Sequence, residues 1–148
     1  MHISAKGMVV AVCLAFAGIQ LIPVEKRNPP EDPSHTIYAA ESVPAEVKAV
    51  LQGSCNDCHS NQTRWPWYSH VAPVSWMVAH DVHEGRKEMN FSEWSTYTEK
   101  RKDQKLEEIC EQITNGDMPD GKYAFIHRNA RPTQAQRDAV CTWIESVR

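Results

Sequence analysis

Five residues constrain this chain more than any others: Cys55-Asn56-Asp57-Cys58-His59, a C-x-x-C-H pentad. Two thiols stand three positions apart, and an imidazole follows at once. Three chemistries use paired cysteines at this spacing. A c-type haem adds both thiols across its vinyl groups and takes the histidine as its proximal iron ligand. A zinc site asks for a second ligand pair downstream, whereas Cys110 and Cys141 stand singly. A dithiol redox pair asks for a βαβ setting, and no strand-rich pattern surrounds the pentad. The spacing therefore points to one covalent haem c on Cys55 and Cys58, with His59 on the iron.

Size and charge narrow what surrounds that group. A chain of 148 residues allows one domain plus an anchor or tail. With 16 basic and 19 acidic residues, a net charge of −3 and no basic cluster, nucleic acid is excluded as a partner. Part of the hydrophobic content sits in Gly7 to Val24, an uncharged run with one amide, Gln20. At 18 residues it lies at the lower edge of a membrane-spanning helix. Lys6 and the Ala15-Phe16-Ala17 site also suit a cleavable signal. The apolar run continues through Ile19, Leu21 and Ile22, which favours an uncleaved anchor.

The expected organisation is a signal anchor or transmembrane helix over 1–24, a Pro-rich tether over 25–43 and a haem domain over 44–148. Pro29, Pro30 and Pro33 mark the tether as an extended spacer. Flanking charges do not set the orientation, since Lys26 and Arg27 face Lys6 across the span. Covalent haem attachment does set it, because it happens on the oxidising side of bacterial membranes. The expected location is the bacterial inner membrane with the haem domain facing the periplasm, or the soluble periplasm after cleavage.

Hydrophobic spacing predicts an all-α domain. Val43, Val47, Val50 and Leu51 form one stripe that ends at Gly53, directly before the pentad. A second helix starts near Pro73, carries Val74, Met77, Val78 and Val82, and is expected to stop at Gly85. Thr96 or Thr98 caps a third, reaching Asn115, with Glu99 to Lys105 as a solvated face. Leu106, Ile109, Cys110 and Ile113 are its buried stripe, and Gly116 its αL cap. Thr133 and Gln136 make a capping box for a last helix with Val140, Trp143, Ile144 and Val147 inward. A short helix leading into C-x-x-C-H and a terminal helix crossing it predict a class I cytochrome c-like domain. In an oxidising compartment, Cys110 and Cys141 are disulfide candidates.

Further site residues follow from chemistry. Met118, before Pro119 on the loop after a helix, offers a thioether as distal iron ligand. Met77, Met89, His70 and His127 are the fallbacks. Trp65, Trp67 and Tyr68 can wall a haem against water, and they or Arg64 can meet its propionates. His80 and His83 stand at i, i+3, with no third ligand placed by sequence to complete a second metal site.

The run NQTRWPWYSHVAPVSWMVAHDVHEGRKEMNFSEW, residues 61–94, resembles the bacterial haem-binding domain family. So do IQLIPV and NPP near the start, D-V-x-x-G-R, N-F-S-x-W and the later M-P…Y…H run, in which His127 matches a family position. The resemblance implies a small membrane-anchored monohaem c-type protein in the periplasm. The expected function is haem binding and single-electron transfer with a redox partner protein that the sequence does not identify. The alternative is a haem enzyme or sensor with an open sixth position and His70, His80 or His127 as distal acid or base.

Overall fold

In a computed structural model that describes residues 4–148, every regular element among the described residues is helical. The longer elements are α1 (Ala5–Ile19), α2 (Ile37–Ala40), α3 (Ala45–Ser54), α4 (Asn56–His59), α5 (Val74–Glu88), α6 (Glu99–Asn115), α7 (Gly121–Ile126) and α8 (Gln134–Val147). Short 3₁₀ turns link them. The chain divides into two compact units. One comprises residues through Arg27 with Trp65–Asp81; the other comprises Asn28–Arg64 with Val82–Arg148.

The second unit carries the pentad. Its core joins Val47, Val50 and Leu51 of α3 to Leu106, Ile109 and Ile113 of α6 and Val140, Trp143 and Ile144 of α8. α8 packs on both α3 and α6. A disulfide joins Cys110 to Cys141 across the α6–α8 contact, with Cα atoms 5.1 Å apart. Caps form where side-chain chemistry asks for them. The Thr98 hydroxyl accepts from the Arg101 amide, Gly116 closes α6 at φ 80°, and Thr133 and Gln136 make the reciprocal capping box of α8.

The expected Pro-rich tether is different. From Asn28 onward it belongs to the second unit. Ile37 is fully buried in the core, and the Tyr38 hydroxyl donates to Asn56 Oδ1 at 2.7 Å. The indoles of Trp94 and Trp143 donate to Glu41 Oε1 and the Ser42 carbonyl. The prolines bend this segment without leaving it extended: Pro33 opens a 3₁₀ turn whose cap is Asp32.

The first unit corrects a second expectation. The apolar run 7–24 is not one helix. α1 has 15 residues, about 22 Å at 1.5 Å per residue, against a hydrocarbon core of about 30 Å. No helix among the described residues is long and apolar enough to cross a membrane. The chain turns at Gln20, whose side-chain amide pairs reciprocally with Ala72, donating to its carbonyl at 3.2 Å and accepting from its N–H at 2.9 Å. The apolar side chains of α1, Val12, Leu14 and Phe16 among them, are exposed.

Two helix-level expectations also change. α5 runs through Gly85 to Glu88 instead of stopping there. Lys105, placed by sequence on a solvated face, is only 6 % exposed.

Candidate functional site

Helix α3 ends at Ser54, and the pentad winds a second short turn, α4, in which the Cys58 and His59 amides donate to the Cys55 carbonyl. Cys55 and His59 line a cleft of roughly 460 Å³ within the second unit, a size usual for small-molecule sites. Glu88 and Met89 join it from the end of α5. Lys105, Glu108, Ile109, Gln112 and Ile113 come from one face of α6, and Met118 and Pro119 from the loop after it. Its walls are largely apolar, with one charged cluster.

His59 is held in the state a metal ligand needs. Its Nδ1 lies 3.2 Å from the Met89 carbonyl oxygen. A carbonyl only accepts, so Nδ1 carries the proton and Nε2 keeps its lone pair. Burial pulls the imidazole pKa below its ordinary value, against the opposing carbonyls of Met89 and Gly85, and the ring is neutral at pH 7. Cys55 is only part-buried as a residue, but its thiol is enclosed. Burial, and then neighbouring Cys58, push that thiol up to about 12. It is a protonated thiol at neutral pH.

The end of α5 clamps the pentad residue by residue. A Cβ on Gly85 would stand 2.7 Å from the Cys58 carbonyl oxygen and 3.1 Å from its Cβ, so only glycine lets the helix lie this close. Met89 takes His59, and Arg86 Nε donates to the Ser60 carbonyl at 2.8 Å. The second Arg86 arm reaches Thr63 Oγ1 and Asn28 Oδ1, both at 2.8 Å. The glycine and arginine of D-V-x-x-G-R thus hold the motif loop.

Asp57 ties down the other side. Its carboxylate accepts from Arg64 Nε and Nη2, each at 3.0 Å, and from the Tyr123 hydroxyl at 2.8 Å. Burial would raise its pKa, but the hydrogen bonds from Arg64 and Tyr123 outweigh that and hold it below the usual carboxylate range. His127 stacks on Tyr123, ring centroids 4.3 Å apart. It reaches the pentad through Tyr123 and Asp57 and is not among the residues that line the cleft.

The other expected site residues divide clearly. Of the candidates for a sixth iron ligand, Met118 and Met89 line the cleft, and Met77, His70 and His127 do not. Trp65, Trp67 and Tyr68 belong to the first unit and are not among its lining residues either; Trp67 is 79 % exposed. Cys58 packs against Gly85 and is not among the residues that line the cleft. Among the described residues no group of three His, Cys, Asp or Glu comes together as a metal site, so His80 and His83 gain no third ligand. Sequence reasoning missed Glu88, Lys105, Glu108 and Gln112. The α6 members were readable: positions 105, 108, 109, 112 and 113 share one helical face.

A family model described as a haem-binding domain matches residues 14–146. No curated protein and no solved structure matches the chain.

Proposed function

The chain belongs to the haem-binding domain family, and from that premise we propose that it is a monohaem c-type protein that passes single electrons in the periplasm. The residues present fit the group. Cys55 and Cys58 supply two thioether positions, and the close approach at Gly85 cradles Cys58. His59 is a neutral imidazole with its free nitrogen fixed by the Met89 carbonyl. Met118 offers a thioether on the same cleft. When bound, the haem supplies an iron that cycles between ferrous and ferric.

The observation that carries the reading is this sharing of one apolar cleft by Cys55, His59 and Met118. Met89 also lines it, but its carbonyl serves the proximal histidine. Met118, on the loop after α6, is the thioether that would serve as the second iron ligand. A thioether ligand favours reduced iron and closes the site to substrate. None of the three distal acid–base candidates, His70, His80 and His127, lines the cleft. The packing of α8 on α3 supports a class I cytochrome c-like arrangement. The exposed apolar side chains of α1 support a role as an export signal.

One observation favours a second reading. Met118 is 41 % exposed, and a ligand so placed is open to displacement in a haem enzyme or gas sensor. The test uses the full chain matured in a bacterium with covalent haem attachment. Wild-type protein is expected to keep its haem mass through denaturation, and Cys55→Ser/Cys58→Ser to lose it. The ferrous protein is expected to leave carbon monoxide unbound. Haem released on denaturation of the wild type overturns the c-type assignment; ready carbon monoxide binding moves the function to an enzyme or sensor.

A further inference from the structure

Lys105 is the anomaly of the cleft. Lysine is almost never buried unless it is paired, and this one, 6 % exposed, lines the same cleft as His59 and Met118. Its Nζ donates to Glu108 Oε2 at 2.6 Å and to Glu88 Oε1. Both carboxylates also line the cleft, reaching in from more exposed positions. Burial would lower the lysine pKa, but the two carboxylates outweigh it and the amine stays charged. Neither haem attachment nor iron ligation uses any of the three.

We propose that Lys105, Glu88 and Glu108 form the charge cluster that sets the reduction potential of the haem iron. The inference rests on the reading that this cleft holds the haem. One cation against two carboxylates leaves one net negative charge. Oxidation of the iron adds one positive charge, and a neighbouring negative cluster favours that state. Lys105 is buried and Glu108 half-buried, so water screens their charges less than it does charges on the open surface. Lys105 then works as an offset: it permits two carboxylates beside the haem while limiting how far they stabilise ferric iron. A purely structural ion-pair cluster makes a different forecast. Removing any member would change stability, with no sign rule for the potential.

The test is an equilibrium redox titration of the full-length holoprotein, followed by its visible spectrum, for Lys105→Gln, Glu88→Gln and Glu108→Gln. The potential is expected to fall in the lysine variant and to rise in each glutamate variant. Unshifted potentials in the folded variants, or shifts of the opposite sign, overturn the proposal. Should Lys105→Gln fail to mature, the two near-isosteric glutamate variants decide by themselves. The seat of the haem is read separately, from loss of covalent haem in Cys55→Ser/Cys58→Ser. With that loss observed, unshifted potentials count against the cluster alone.

Discussion

Gly85→Ala would bring a Cβ to 2.7 Å from the Cys58 carbonyl oxygen. The neighbour is backbone inside a hydrogen-bonded turn and cannot swing away, so α5 must move. Overpacking of this kind costs about 1–3 kcal/mol. Met89, on the same segment, holds the His59 ring through its carbonyl, so the shift is passed on to the proposed iron ligand. The variant is expected to melt earlier and to carry haem on a smaller fraction of chains, read by thermal unfolding and the haem-to-protein ratio. Wild-type values for both would contradict the clamp. At this scale the sequence was partly legible. Cys55, Cys58 and His59 announce themselves because the chemistry lies in their own spacing. Gly85 was visible as a glycine but read as a helix stop, since its role depends on a backbone that approaches from 27 residues earlier. Lys105 was read as solvated because its neighbours in sequence are charged. Its burial depends on Glu88, brought to it from another helix.

Among elements, α3, α6 and α8 were legible from hydrophobic period and caps, and their stripes are the core of the second unit. The segment 28–43 was not. Proline-rich composition argues against regular helix, but it does not forbid an irregular chain from burying Ile37 and meeting the Trp94 and Trp143 indoles. The limits of α1 were hidden for a similar reason. Hydropathy measures an apolar run, while the side chain of Gln20 ends the helix by pairing with Ala72. The α6–α8 contact gives the prediction at this scale. The bridge from Cys110 to Cys141 closes a separation of 31 residues, worth about 3–4 kcal/mol in the chain-entropy model. Cys110→Ser/Cys141→Ser is expected to lose stability of that order in denaturant unfolding, with the haem spectrum unchanged. A midpoint equal to wild type would show that the bridge contributes nothing.

Across the molecule, one helix-turn motif presents two thiols and an imidazole, one helix end clamps it and one loop brings a thioether to the cleft that Cys55 and His59 line. Haem binding follows from family membership; electron transfer depends on whether Met118 closes the iron. Ligation settles which reading holds, since a closed iron exchanges electrons and an open one meets small molecules.

The deciding measurement is the ferric absorption spectrum of the full-length holoprotein beside that of Met118→Ala, scanned for the weak far-red band of methionine bound to iron. The band is expected in the wild type and its loss in the variant, with haem still attached to both. A high-spin ferric spectrum in the wild type, unchanged by the substitution, would contradict it.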